Sequence, residues 1–301
     1  MDVLETYNKN KHIIKKTKLE LNKRLSNIYN CNVYLKREDL NEVRSFKIRG
    51  AYNKISKLTD IQKKQGIVCA SAGNHAQGVA YTSNILDIIA NIFIPENTPL
   101  QKIRSIKKFA NNNCNLHIKG SNFDECLLLA KEFSLNNNNI FIHPFNDEDI
   151  INGQGTIAVE IYQDIKPDII IGCIGGGGLM AGISKYSKYI NPDCLLYGVE
   201  TNNCNAMYLS IKANKIIKLE YLDLFVDGAA VKQVGDLTFD ICKKYLNDIL
   251  LVSNGKLSKT LLELFQNDGI ITEPAGALSI CALDNIDPNL LKNKNIVCIV
   301  S

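Results

Sequence analysis

The sequence predicts an α/β protein whose mainly parallel sheets are flanked by helices. From Ile67 onward, short runs rich in β-branched residues alternate with segments of helical length, which is the pattern of βα units. The runs at residues 169–174 and 296–300 lack a polar alternate face, so we expect central strands covered on both sides. With 301 residues, the chain can form one large domain or two closely packed lobes.

Short apolar runs are the predicted strands, and amphipathic segments between them are the predicted helices. The strands are predicted at residues 33–36, 67–70, 90–94, 116–118, 140–143, 169–174, 195–199 and 296–300. Asparagine runs at residues 111–113 and 136–139 precede predicted strands and are expected to be loop tips. In folds of this class, functional residues collect at the carboxyl ends of the strands.

Composition indicates a folded protein that acts away from nucleic acids and membranes. Hydrophobic residues make up 46% and charged residues 22% of the chain, which are ordinary values for a globular protein. The 35 basic and 31 acidic residues are mostly interspersed, so we expect no nucleic-acid partner. The N-terminus carries Asp2 and Glu5 and has no apolar signal core, and no run approaches membrane-spanning length. We therefore expect a cytoplasmic protein without a membrane partner.

Ten cysteines are scattered along the chain without a Cys-x-x-Cys pair or a nearby histidine at metal-ligand spacing. They are predicted to be reduced thiols in the core. We expect no metal site.

Residues 45–50, with the sequence Ser-Phe-Lys-Ile-Arg-Gly, lie between a predicted strand and a helix-compatible segment at residues 51–58. A lysine at such a junction can project into a cleft. A single lysine is nevertheless most often a solvated surface charge. A functional role for Lys47 therefore depends on what the rest of the chain places around it.

Two polar segments have the character of helix starts. Residues 71–75 follow the predicted strand 67–70 and precede a helix expected to begin near Ala76, so their turn exposes backbone N–H groups that favour an anion such as a carboxylate. In residues 273–277, an acidic residue precedes a proline, which is also helix-start chemistry. An ordinary capping turn is the alternative interpretation of both segments.

Four consecutive glycines, Gly175 to Gly178, follow the most apolar predicted strand. A loop that keeps so many glycines usually needs unusual dihedral angles or a close ligand, and the helix after it offers its N-terminus to a phosphate. A dinucleotide site is the alternative, because the spacing Gly-x-Gly-x-x-Ala ends at Ala181 and an acidic residue, Glu200, follows about 20 residues later. The loop alone leaves both possibilities open.

Taken together, residues 45–50, 71–77, 175–179 and 273–277 resemble, in order and spacing, the serine/threonine dehydratases, and the resemblance covers essentially the whole chain. It implies pyridoxal 5'-phosphate as cofactor and the two-lobed, tryptophan-synthase-β-like fold (fold type II), with two open, twisted, mainly parallel sheets. The implied large cofactor-binding domain comprises residues 1–50 and 145–301, and the small domain residues 51–144. No C-terminal regulatory domain is expected.

The resemblance also implies roles for individual residues. Those assigned to the cofactor are Lys47, which forms the internal aldimine, Phe46 beside the ring, Gly175, Gly176, Gly177, Gly178 and Leu179 at the phosphate, Asn74 at the ring hydroxyl, Ser301 at the pyridine nitrogen, and Gly228 and Glu273 near the ring. Those assigned to the substrate carboxylate are Ser71, Ala72, Gly73 and Asn74. Lys47 would also take the α-proton of the substrate, because a lysine displaced from its Schiff base is a base placed at the α-carbon.

The resemblance implies conversion of L-threonine to 2-oxobutanoate and ammonia, the first step toward isoleucine, and of L-serine to pyruvate. Within the family, residues 224–232 most resemble the biosynthetic threonine dehydratases. The alternatives are a serine-preferring dehydratase or racemase, a truncated cofactor-binding protein with little turnover, and a nucleotide-binding oxidoreductase. Racemase relatives have a serine where this chain has Ala72, and their cation site has an aspartate where this chain has Ala206. Racemisation and a bound metal are therefore not expected, whereas a homodimer or homotetramer is.

Overall fold

The protein contains two open sheets flanked by helices. The computed structural model describes residues 2–301 apart from the side chain of Asn111. The strands within this range are β1 Leu19–Leu21, β2 Asn32–Arg37, β3 Ile67–Ala70, β4 Ala90–Ile94, β5 Cys114–Ile118, β6 Ile140–Phe141, β7 Ile169–Cys173, β8 Leu195–Thr201, β9 Asp248–Val252 and β10 Asn295–Val300. The α-helices are α1 Asp2–Asn10, α2 Lys23–Tyr29, α3 Lys47–Ser56, α4 Asp60–Gln65, α5 Asn74–Leu86, α6 Leu100–Ala110, α7 Phe123–Asn137, α8 Glu148–Asp164, α9 Gly178–Ile190, α10 Ala206–Ala213, α11 Asp236–Tyr245, α12 Asn254–Asp268, α13 Pro274–Cys281 and α14 Pro288–Leu291.

The larger sheet has the order β1-β2-β10-β7-β8-β9, and all its neighbouring strands are parallel except β1 and β2. The two strands predicted to be central, β7 and β10, are adjacent in the middle of this sheet. All five residues of β7 are buried, as are the last five of β10. Their continuous apolar sequence therefore reflects coverage on both faces, and the prediction is confirmed.

The smaller sheet has the order β5-β4-β3-β6 and is entirely parallel. Its strands come only from residues 67–141, whereas the strands of the larger sheet lie on either side of this stretch. The two lobes expected from the sequence, residues 51–144 and the remainder, remain a prediction.

Several elements differ from the predictions. The strands β1 and β9 were not predicted, because β1 has three residues and β9 lies at a sheet edge with only two of its five residues buried. The strand predicted at residues 140–143 ends at Phe141, since the side chain of His143 closes a turn with the following backbone. The asparagines expected to form a loop tip at residues 136–139 instead end α7, with Asn138 in the left-handed conformation.

Helix α8 fixes the positions of two other helices through close backbone contacts. A Cβ atom on Gly153 would lie 2.5 Å from the carbonyl oxygen of Arg49 in α3, and one on Gly182 in α9 would lie 2.2 Å from the carbonyl oxygen of Ile151. Only glycine permits such approaches. Since α3 begins at Lys47 and α9 begins in the glycine loop, α8 sets the relative placement of these two segments.

A cluster of four buried charged side chains lies beneath the start of α3. Arg49 donates through Nε and Nη2 to both oxygens of Glu38 at 2.8 Å, and through Nη1 and Nη2 to the oxygens of Glu160 at 2.7 and 2.9 Å. Lys36 donates to Glu160 at 2.5 Å. Burial disfavours the charge of Arg49, but both carboxylates outweigh this effect and raise its pKa. The two positive and two negative charges stabilise one another only as a set.

Ten free cysteines are present, nine of them buried as predicted. Within residues 2–301, no helix is both long enough and apolar enough to cross a membrane.

We expect the substitution Arg49→Met to lower the free energy of unfolding by about 3 to 5 kcal/mol, because it leaves Glu38 and Glu160 buried with only one cation. Urea denaturation measures this loss. The matched control is Lys259→Met, which removes an exposed ion pair with Glu263 and should change stability by less than about 1 kcal/mol. A loss no larger for Arg49→Met than for this control would contradict the prediction.

Candidate functional site

Lys47 is the first residue of α3, and its side chain reaches the segment that follows β6. Its Nζ atom donates to the carbonyl oxygen of Pro144 at 3.0 Å and lies 5.4 Å from the centroid of the Phe46 ring. Burial lowers the pKa of Lys47 to about 8, although Cys173 and Glu273 act in the opposite direction. At pH 7 about a tenth of Lys47 is therefore an uncharged, nucleophilic amine, far more than for a lysine with the ordinary pKa.

The glycine loop runs from the end of β7 into the N-terminus of α9. Gly177 has φ of 92°, a value that favours glycine, and serves as the N-cap of α9. A Cβ atom on Gly176 would lie 2.2 Å from the Phe145 ring, and one on Gly175 would lie 2.9 Å from the carbonyl oxygen of Ala229. The loop therefore has no room for side chains.

Among residues 2–301, the backbone N–H groups at residues 175–177 of this loop are free to bind a ligand, although a carbonyl oxygen of the loop is already bonded. Thr238 donates through Oγ1 to the carbonyl oxygen of Gly176 at 2.6 Å. The backbone N–H groups of residues 175–177, in contrast, donate to no acceptor in the described part of the chain. Free N–H groups at the N-terminus of a helix suit a phosphate dianion.

Asn74, Gly228 and Glu273 lie together. Asn74 begins α5 and donates through Nδ2 to Oε1 of Glu273 at 2.7 Å. A Cβ atom on Gly228 would lie 3.0 Å from the same carboxylate oxygen. Burial raises the pKa of Glu273 to about 7, against the effect of the Asn74 hydrogen bond. Glu273 therefore changes its protonation state close to neutral pH.

The segment at residues 71–74 connects β3 to α5 and is half-buried. The Ser71 side chain accepts a hydrogen bond from the N–H of Gly73 at 3.2 Å, and the backbone N–H of Ser71 donates to Phe93 at 3.1 Å. The first turn of α5 leaves N–H groups at this end of the helix, which can hold a carboxylate.

Ser301 directly follows β10 and is buried. Its carbonyl oxygen accepts a hydrogen bond from Thr272 at 2.7 Å, and a Cβ atom on Gly276 would lie 1.7 Å from that oxygen. Because β10 and β7 are parallel neighbours, Ser301 and the glycine loop both lie at the carboxyl ends of the strands, on the same side of the sheet.

Sequence reasoning missed the segment at residues 143–146, which contacts both Lys47 and the glycine loop. It also missed Cys173, the last residue of β7, which is buried close to Lys47 and Glu273. Burial raises the pKa of Cys173 to about 12, so the thiol is uncharged. The rule that functional residues follow the carboxyl ends of parallel strands could have identified both segments.

Glu200 lies at the carboxyl end of β8, as the dinucleotide interpretation requires, but its carboxylate is already occupied. Its two oxygens accept hydrogen bonds from the N–H groups of Met207 at 3.0 Å and Tyr208 at 2.8 Å, at the start of α10. Only 2% of Glu200 is exposed, and burial raises its pKa to about 8. A ribose could not reach this carboxylate. In the described residues, no group of three or more His, Cys, Asp or Glu side chains could hold a metal ion.

Comparison with known proteins gives one consistent result. The family of sequences described as "Pyridoxal-phosphate dependent enzyme" matches residues 11–301. A biosynthetic L-threonine dehydratase, IlvA, of Staphylococcus aureus is 46% identical over 306 aligned residues, which span 100% of this chain and 72% of the relative.

Two solved structures extend the comparison. The processed form of threonine deaminase isoform 2 from Solanum lycopersicum superposes with a TM-score of 0.92 at 36% identity, covering 100% of this chain and 87% of that one. Maize serine racemase superposes with a TM-score of 0.93 at 26% identity, covering 100% and 92%.

We expect Gly176→Ala to weaken binding of pyridoxal phosphate by about tenfold or more, because its new methyl group must displace Phe145 and with it the loop. Titration of the cofactor into the apoprotein, followed by absorbance, measures the affinity. Gly255→Ala is the control, since nothing lies within 4 Å of a Cβ atom there. Equal affinities for the two variants would show that the loop does not need this glycine.

We expect Glu273→Gln to change how stability depends on pH. The folded protein holds the Glu273 proton up to about pH 7, whereas the unfolded chain loses it near the ordinary pKa of 4.5. Glu273 therefore lowers the stability of the wild type progressively as pH rises through that interval, and glutamine does not.

Urea denaturation across this interval should show the wild type losing stability relative to Glu273→Gln. Glu200 is present in both proteins and cancels in the difference. The exposed carboxyl of Glu220 provides the control variant Glu220→Gln, whose curve should run parallel to that of the wild type. Parallel curves for Glu273→Gln as well would refute the raised pKa.

Proposed function

The chain belongs to the pyridoxal-phosphate dependent enzymes, and on that premise we propose that it is a lyase that converts L-threonine to 2-oxobutanoate and ammonia. The observation that carries the proposal is identity of 46% along the entire chain to a protein named as a biosynthetic threonine dehydratase. The product is the precursor from which isoleucine is made, which agrees with the biosynthetic name of that relative.

The residues of the site suit pyridoxal phosphate. Lys47 supplies an amine whose pKa is lowered to about 8, and the glycine loop supplies free N–H groups for the phosphate. We assign Phe46 to one side of the ring, Asn74 to its hydroxyl, Ser301 to its nitrogen, and Gly228 and Glu273 to its surroundings. When bound, the cofactor supplies an aldehyde for the amino group of the substrate and a conjugated ring that stabilises negative charge at the α-carbon.

We assign the substrate carboxylate to residues 71–74, at the N-terminus of α5. The partial positive charge of that helix end favours a carboxylate, and anchoring it there orients the α-carbon of the substrate. Binding at two separate points, the carboxylate and the amino group, leaves the side chain of the substrate free to react.

Lys47 is the base that removes the α-proton. Its low pKa makes the free amine available near neutral pH, and its hydrogen bond to Pro144 holds Nζ in the site. The β-hydroxyl leaves with a proton as water, and one water is consumed when ammonia is released. The net reaction is therefore L-threonine to 2-oxobutanoate and ammonia.

Ala72 favours elimination over racemisation. A racemase must deliver a proton to the face of the α-carbon opposite the lysine, and a methyl group cannot do so. The likeness to maize serine racemase therefore extends to the architecture and not to the reaction. L-Serine is proposed as a second substrate for elimination, which would give pyruvate.

We also propose that the protein is cytoplasmic and forms a homodimer or homotetramer. Its ten free thiols suit a reducing compartment. Light scattering of the purified protein would measure the assembly.

We expect Lys47→Ala to abolish formation of 2-oxobutanoate from L-threonine, a loss of at least about a thousandfold, because both the amine and the base are removed. A coupled assay for oxo acid and ammonia measures the rate, and the visible spectrum of the bound cofactor reports the lysine linkage. Lys57→Ala is the control: Lys57 is a half-exposed partner of Asp149 at the end of α3.

Oxo-acid formation by Lys47→Ala at the wild-type rate would overturn the assignment of Lys47. A wild-type protein that is loaded with cofactor but releases no ammonia from threonine or serine would instead be a binding protein without turnover. Nicotinamide binding that survives the loss of Lys47 would favour an oxidoreductase.

A further inference from the structure

The turn at residues 143–146 joins β6 to α8 and is closed by the side chain of His143. The Nδ1 atom of His143 accepts hydrogen bonds from the N–H groups of Phe145 at 3.2 Å and Asn146 at 2.8 Å. Two donors face this nitrogen, so Nδ1 is unprotonated and the proton of the neutral ring lies on Nε2. The turn has this shape only while His143 presents an acceptor at Nδ1.

Each of the next three residues in this turn contacts a different part of the site. The carbonyl oxygen of Pro144 accepts the hydrogen bond from Nζ of Lys47 at 3.0 Å. The Phe145 ring lies against Gly176, where it would be 2.2 Å from an added Cβ atom. The Oδ1 atom of Asn146 accepts from the N–H of Leu237 at 3.1 Å, at the start of α11.

We propose that His143 is a positioning residue, which holds the Pro144 carbonyl against Lys47 and the Phe145 ring against the glycine loop through its unprotonated Nδ1. The role is indirect, since among residues 2–301 the side chain of His143 forms hydrogen bonds only with the backbone of its own turn. It places two groups that do touch the reacting lysine and the cofactor loop. The consequence for catalysis rests on the proposed lyase activity, whereas the effect on Lys47 does not.

Burial agrees with this role. It lowers the pKa of His143 to about 4, so the ring stays neutral under physiological conditions. The ring also packs edge-on against Phe145, with centroids 4.7 Å apart. Any replacement loses that ring contact, so a test must separate it from the hydrogen bonds.

Two amide substitutions make this separation. In His143→Asn, the side-chain oxygen can occupy the position of Nδ1 and accept from the same N–H groups, as asparagine does in turns. In His143→Gln, the amide reaches the position of Nε2 instead. Both variants lose the ring, so a contribution from packing alone affects them alike. The control is His12→Gln, at an exposed position in the turn that follows α1.

The first measurement needs neither cofactor nor substrate. Competitive labelling of lysine amines in the apoprotein, read by mass spectrometry across pH, reports the titration midpoint of Lys47. We expect His143→Asn and His12→Gln to keep the wild-type midpoint. We expect His143→Gln to raise it, because a displaced Pro144 admits water to the amine and removes part of the desolvation that lowers its pKa.

The second measurement is turnover of L-threonine by the holoenzyme. His143→Gln should lower kcat by about tenfold to a hundredfold, as expected for a misplaced base, while His143→Asn stays within about threefold of the wild type. The proposal is overturned if the two variants behave alike in labelling, whether both match the wild type or both depart from it. Failure of the wild type to turn over threonine would refute the proposed function and leave the labelling result intact.

Discussion

Arg49 binds two carboxylates that are removed from water, and the arrangement of the site depends on this contact. Glu38 follows β2, Glu160 lies in α8, and Arg49 lies two residues after Lys47 in α3. One guanidinium therefore ties the start of α3 to both the larger sheet and the helix that also positions α9. A planar group with five donors can satisfy both carboxylates at once, which the single ammonium of a lysine cannot.

The same physical effect, loss of hydration, gives opposite results at two neighbouring basic residues. Arg49 is surrounded by carboxylates and keeps its charge. Lys47 donates to the carbonyl oxygen of Pro144, and its pKa falls to about 8. Two residues apart in one helix, they face different partners because successive residues of a helix point in different directions. The first stabilises the fold, and the second is left available for chemistry.

Much of the site was predictable because each segment has its own local signature. The tetraglycine loop and the helix-start segments at residues 71–75 and 273–277 were singled out from sequence. The structure joins the two helix-start segments through Asn74 and Glu273, and it places the turn after β6 against both Lys47 and the glycine loop. The turn at residues 143–146 was not recognised, since its apolar start resembles a continuing strand. Its distinctive feature is a side-chain acceptor bonded to its own backbone, which no periodicity reveals.

The sequence by itself determined the α/β class and the central strands β7 and β10, and it singled out Lys47 and the glycine loop as candidates, because periodicity and residue chemistry are local properties. The residues taken one segment at a time left open whether Glu200 binds a ribose and whether Lys47 is a solvated surface charge. Only the tertiary structure decided these points. The charge state and the contacts of these side chains depend on burial and on their partners, and some partners are more than a hundred residues apart, such as Arg49 and Glu160. Burial and partners are set by how the two sheets and their helices pack.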